Sequence, residues 1–117
     1  MSDYSKKYLG EIVLIEIDRP LNSKHPEYDS IYELNYGFVP GTKAPDGKEL
    51  DAYLIGVDIA VDEYTGKCIA IIHLVNDDDD KLIIVPESVS DLTDEEIRKA
   101  TNFQEKWFKS IIIKVEK

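Results

Sequence analysis

Apolar residues along this chain fall into short runs separated by turn residues, and only one stretch repeats with a helical period. Glu11-Ile-Val-Leu-Ile-Glu-Ile-Asp18 has the β-branched density of a strand, and Arg19-Pro20 ends it because proline cannot donate to a ladder. Ser30-Ile-Tyr-Glu-Leu-Asn-Tyr36 reads as a half-buried strand closed by Gly37. Turn residues at Pro40-Gly41 and Pro45-Asp46-Gly47 then lead into a strand over 50–57. Tyr64-Thr-Gly66 predicts a break, and 67–75 an apolar strand long enough to cross a sheet. An acidic run over 76–80 separates it from Lys81-Leu-Ile-Ile-Val-Pro86, and 111–115 supplies a last strand.

The helical stretch comes late. Thr93 with Glu96 three residues on is a capping-box pattern, and Asp94, Glu95 and Glu96 suit the positive end of the helix dipole. Ile97, Ala100, Phe103, Gln104, Trp107 and Phe108 fall on one stripe, which predicts a face packed on the sheet with Trp107 in the core. Arg98, Lys99, Glu105 and Lys106 fall elsewhere and are expected to face water. Short strands with one late amphipathic helix predict a mainly β, α+β fold: a small curled sheet or barrel with the helix packed outside. Helices do not alternate with strands, so parallel α/β winding is disfavoured. Residues 1–10 read as a polar N-terminal tail and 11–117 as one domain.

At 117 residues, with 43% hydrophobic and 32% charged, the chain has apolar mass for one core and no room for a second domain. Its net charge of −10 repels phosphate backbones and anionic lipid, so a nucleic-acid or membrane-surface partner is disfavoured. The longest apolar run, 68–72, is far short of the ~20 residues of a membrane helix, and no basic-then-apolar signal segment opens the chain. A lone Cys68 forms no internal disulfide and, with only His25 and His73, no zinc cage of cysteine and histidine, which suits a reducing cytoplasm.

Acidic residues are clustered where strands end. Asp46 and Asp51 flank one turn and Asp77 to Asp80 form another; if the sheet brings the turns together, their carboxylates suit a hard cation such as Mg²⁺. Taken alone, the four-aspartate run reads as a solvated turn, and it lacks the glycine and downstream glutamate of an EF-hand loop. Tyr36 and Tyr53 alone read as core or rim aromatics, and Lys24 and Lys81 as partners of the acidic clusters. His25 reads as structural or solvent-facing, His73 as a satisfied strand residue, and Cys68 as a small buried hydrophobe.

Three motifs in order carry a resemblance: Asn35-Tyr36-Gly37-Phe38-Val39, then Asp46-Gly47-Lys48-Glu49-Leu50-Asp51-Ala52-Tyr53, then Asp79-Asp80-Lys81-Leu82-Ile83-Ile84-Val85-Pro86. In order and approximate spacing they resemble the soluble family I inorganic pyrophosphatases, over about 12–109. The resemblance implies a five-stranded OB-like barrel and Mg²⁺-dependent hydrolysis of pyrophosphate, with Mn²⁺ a substitute. It implies Asp46, Asp51 and Asp79 as metal ligands, Asp77 as a further one, and Glu16 as an outer carboxylate acting through water. Lys24, Tyr36 and Lys81 are implied as the phosphate-binding set, with Tyr36 and Lys81 also serving the chemical step. The chain departs from the family at three places. Lys48 stands where the family has the Asp beside the nucleophilic water, which leaves Glu49 as the substitute base. Trp107-Phe108-Lys109 stands where it has a Tyr-Lys pair, which makes Lys109 the shifted phosphate ligand, and only Lys24 or Arg19 replaces a second-strand arginine. Two alternatives stand beside hydrolysis of pyrophosphate: a non-catalytic metal- or phosphate-binding relative, and a hydrolase of another small phosphoanhydride. A homo-oligomer is expected.

Overall fold

In the computed structural model, which describes residues 4–25, 30–44, 47–75 and 79–114, alternation sets the architecture. Strand β1 (Ile12–Arg19) turns Val13, Ile15 and Ile17 inward and leaves Ile12, Leu14 and Glu16 exposed, the period of two that a half-buried strand imposes. With β2 (Asn35–Val39), β3 (Leu50–Leu54), β4 (Glu63–Leu74), β5 (Asp80–Val85) and β6 (Ser110–Lys114) it forms a six-stranded sheet ordered β1-β2-β3-β5-β4-β6. A second pairing, β1 to β4, closes five of these strands into a barrel, with β6 added outside on the far half of β4. All pairs are antiparallel except β3 with β5.

The sheet buries both faces. Inside the barrel Val13, Ile15, Leu50, Leu54, Leu82 and Ile84 form one core. Outside it Tyr53, Ile69, Ile72, Ile83 and Val85 form a second core, covered by helix α1 (Asp94–Glu105) through Ile97. The predicted cap is present in full: Thr93 Oγ1 accepts from the Glu96 N–H at 3.1 Å, and Glu96 Oε1 accepts from the Thr93 N–H at 2.9 Å. The bond from the Thr93 N–H, with the Thr93 hydroxyl beside it, holds the exposed Glu96 carboxyl below its usual pKa, since it favours the ionised form.

Three strand boundaries differ from the sequence reading. Residues 30–34 form a loop rather than a strand, joined to Lys24 by a single bridge at Ile31, and β2 begins only at Asn35. The buried Asn35 amide explains the switch: its oxygen accepts from the N–H groups of Leu21 and Val61, and its nitrogen donates to the Ile59 carbonyl at 2.8 Å. Tyr64-Thr-Gly66 continues β4, because β1 supplies a partner strand there and Gly66 lets the Val85 carbonyl approach to 2.5 Å of where a Cβ would lie. Strand β3 stops at Leu54, before Gly56 at φ 98°. Residues 4–10 dock on the barrel: Tyr4, Tyr8 and Leu9 pack against the inner core, and Ser5 Oγ donates to Asp80 Oδ2.

Gly37 lies where β1 crosses β2, and a Cβ there would sit 1.8 Å from the Glu16 carbonyl oxygen. Backbone cannot retreat from that contact without opening the β1–β2 ladder. Gly37→Ala is therefore expected to cost about 3 kcal/mol, at the upper end of overpacking penalties, read from the urea midpoint. A variant within about 0.5 kcal/mol of the parent would contradict it.

Candidate active site

Register on the outer face aligns the chemistry. Glu16 lies opposite Phe38, Phe38 opposite Asp51, Asp51 opposite Lys81, and Lys81 opposite Ile72. Directly paired residues project to one side of a sheet, so Glu16, Asp51 and Lys81 share a row, with Asp51 and Lys81 on adjacent strands. Glu16 is two strands from Asp51, roughly 10 Å at ordinary strand spacing. One row further along, Tyr36 faces Tyr53, their rings 4.7 Å apart.

The Asp51 carboxylate lies beside the Tyr36 hydroxyl, near enough for its charge to act on the phenol. Burial first, and then the Asp51 charge, push the Tyr36 hydroxyl well above its ordinary pKa, so it remains a proton-bearing donor. The Lys81 ammonium sits 2.7 Å from Glu105 Oε2, and both side chains are under one-tenth exposed. The same oxygen accepts from the Tyr53 hydroxyl at 2.6 Å, and Gln104 Nε2 donates to that hydroxyl at 2.7 Å. Rings of Tyr36, Tyr53 and Phe108 lie 5.6, 5.7 and 5.9 Å from the ammonium, within cation–π range.

Glu105 corrects the sequence reading, which put it on the solvent side of the helix. The buried stripe is Ile97, Thr101 and Glu105, spaced by four, and the carboxylate is admitted because Lys81 and Tyr53 meet it. Its Oε1 is buried without a hydrogen-bond partner. Trp107 is the converse correction: the helix ends at Glu105, and beyond it Trp107 is 75% exposed. His73 is satisfied, its Nδ1 2.5 Å from Asp80 Oδ1, and Cys68 is fully buried.

A cavity of about 730 Å³ opens over this network, floored by Tyr36 and Lys81 and walled by Tyr32, Phe103, Trp107 and Phe108. Of the other candidates, Glu49 is exposed and shares the outward side of its segment with Asp51, one position either side of the inward Leu50. Asp79 immediately precedes β5, two residues before Lys81, and its carbonyl accepts from the Leu74 N–H at 2.8 Å. Lys24 and Lys109 are exposed and do not line the cavity, although His25 does. Asp46 and Asp77 lie outside the described residues, and among those described no three His, Cys, Asp or Glu side chains form a group that could hold a metal ion.

Residues 10–113 match the family model described as inorganic pyrophosphatase. The chain belongs to the inorganic pyrophosphatase family. The inorganic pyrophosphatase of Rickettsia prowazekii is 34% identical over 85 residues, which are 69% of this chain and 49% of that protein. The chain thus spans about half the length of that relative. In structure it is similar to the inorganic pyrophosphatase of Helicobacter pylori, with a TM-score of 0.68 and 19% identity over 88% of this chain and 84% of that one. The Ehrlichia chaffeensis inorganic pyrophosphatase gives a TM-score of 0.67 at 17% identity, over 85% and 82%. The family match therefore spans the barrel and most of β6, and includes the row of Glu16, Asp51 and Lys81.

Proposed function

We propose that the chain hydrolyses a phosphoanhydride of the pyrophosphate type to two phosphates, with Mg²⁺ as cofactor and Mn²⁺ as a substitute. The observation that carries this is Asp51 beside Lys81 across the parallel β3–β5 pair, with the Tyr36 hydroxyl close to Asp51, in a chain of this family. The donor set fits a hard cation, since the acidic candidates offer only carboxylate oxygen. Asp51 and Asp79, with Asp46 and Asp77, would hold it, and Glu16 would reach it through water. When bound, Mg²⁺ neutralises phosphoryl oxygens and lowers the pKa of a bound water.

The chain's own groups do the rest. Lys81 has three donors and Glu105 takes one, leaving N–H groups for phosphate oxygens at the cavity floor. Tyr36 keeps its proton and orients the Asp51 carboxylate. Lys24 and Lys109, exposed on flexible stems, approach the anion from outside the cavity, and Glu49 accepts the proton of the attacking water in place of the family aspartate at Lys48. The site acts in the cytoplasm, which the buried Cys68 suits, and self-association would cover Ile12 and Leu14, both exposed on the outward side of β1.

Phosphate release from pyrophosphate with Mg²⁺ tests this directly. Release is expected to stop with chelator and to fall about hundredfold or more in Asp51→Asn, which removes a charged ligand. Release no greater than in that variant would overturn the reading. The alternative of a non-catalytic metal- or phosphate-binding relative draws on Lys81 being already paired with Glu105. Calorimetry separates it, because tight phosphate binding without turnover belongs to the alternative alone.

A further inference from the structure

We propose that the aromatic cavity beside Tyr36 and Lys81 takes the base of a nucleoside diphosphate, so that the preferred anhydride carries an aromatic group. This rests on the hydrolytic reading above and moves its preferred substrate from inorganic pyrophosphate to a nucleoside diphosphate, whose products are a nucleoside monophosphate and phosphate. At about 730 Å³ the cavity lies within the range of organic-ligand sites, ~300–1,000 Å³, and its walls are rings rather than phosphate grips. Tyr32 and Phe103 meet edge to face at 5.9 Å on one wall, and His25 stacks on Tyr32 at 5.8 Å with planes 7° apart. The lining also takes in Phe108, 46% exposed, and Trp107, 75% exposed, with the Lys106 ammonium 4.9 Å from the indole. A bare diphosphate has no apolar surface with which to cover them. A nucleobase does, and every base has a π-face for such a wall.

Charge on the lining suits an anionic ligand, although Lys81 also faces the Glu105 carboxylate behind it. Although the chain carries a net −10, the cavity lining contains Lys81 and Lys106 and, among the described residues, no carboxylate. Both ends of a nucleoside diphosphate are thereby accommodated, the anhydride over Lys81 and Tyr36 beside Asp51, the base against the aromatic lining. In the step itself water oxygen bonds to the terminal phosphorus and the bridging P–O bond breaks. The nucleoside monophosphate leaves with the electron pair, and the proton of the water passes through Glu49 to solvent.

Because the chain has a single tryptophan, Trp107 fluorescence reports this wall alone. With the full chain and no metal, adenosine and ADP are expected to quench it, and ADP to bind at least tenfold more tightly than inorganic pyrophosphate. Trp107→Ala, at a mostly exposed position, is expected to weaken ADP at least fivefold by calorimetry. Pyrophosphate binding as tightly as ADP, with no response to adenosine, would overturn the proposal and leave pyrophosphate hydrolysis standing. A dimer that hides Trp107 and abolishes the quench would overturn it as well. Quenching by adenosine with no phosphate release from either anhydride would retain the base site and remove the hydrolytic reading.

Discussion

Glu105→Ala is expected to lower folding stability by about 3–5 kcal/mol, read as a shift of the urea midpoint at constant slope. Glu105 Oε2 is the counter-charge of a lysine under one-tenth exposed and the acceptor of the Tyr53 hydroxyl. Removing it leaves Lys81 a largely buried cation without its ion-pair partner, and breaking one side of a buried pair costs far more than an exposed pair contributes. The cause is separable from loss of packing. Pairing Glu105→Leu with Lys81→Met removes both charges, and that double variant should recover most of the stability, since apolar replacement of a whole buried pair is close to neutral. Glu105→Gln keeps an acceptor for Tyr53 and loses only the charge, so it should raise KM for the anhydride, through a less firmly placed Lys81, more than it changes the midpoint. A Glu105→Ala midpoint within about 0.5 kcal/mol of the parent would show that the helix does not hold Lys81 in this way.

The burial of Glu105 also marks the boundary of what the chain discloses from its order of residues alone. Strands β1 and β5 and the start of α1 are legible because their signals are local: alternation in Ile12–Arg19, an apolar run in Lys81–Val85, and a Thr93–Glu96 box. The five-stranded closure is legible too, through a family resemblance that the match over 10–113 supports, and the structure sets Tyr36, Asp51 and Lys81 of its motifs on one outer face. Residues 30–34 were not legible as a loop, because what ends them is the Asn35 amide bonding to Leu21, Ile59 and Val61, contacts distant in the chain. Glu105 likewise depends on partners that β3 and β5 bring to it. Extending the helical period through Trp107 placed an indole in the core that the end of α1 at Glu105 leaves outside. A strict four-residue spacing from Ile97 through Thr101 would have found Glu105, at the price of accepting a carboxylate on a buried stripe.

Stability is expected to fall with rising pH above about pH 9, and more steeply beyond pH 10. Burial pushes the Cys68 thiol up to about 12 from its ordinary 9.0, and burial followed by the charges of Asp51 and Glu105 pushes Tyr36 and Tyr53 above their ordinary 10.0. All three keep their protons in the fold while the unfolded chain gives them up, so above pH 9 the unfolded state binds fewer protons and stability declines with rising pH. Below pH 9 the contribution is fully present. It starts to disappear through Cys68 between 9.0 and about 12, and the two tyrosines join from 10.0. Each group contributes a limiting slope of about 1.4 kcal/mol per pH unit, so the three together approach about 4 kcal/mol per unit once all are ionised in the unfolded chain. Integrated to pH 11 the loss is about 5 kcal/mol, the lower end of the ~5–15 kcal/mol that holds a domain together, so alkaline unfolding should follow at or above pH 11. Urea titrations from pH 8 to 11 measure the slope, and Cys68→Ala should remove the part that begins first, whereas Tyr53→Phe should flatten only the part beyond the tyrosine range. A midpoint that stays level to pH 11 would mean that these side chains exchange protons with water in the folded barrel.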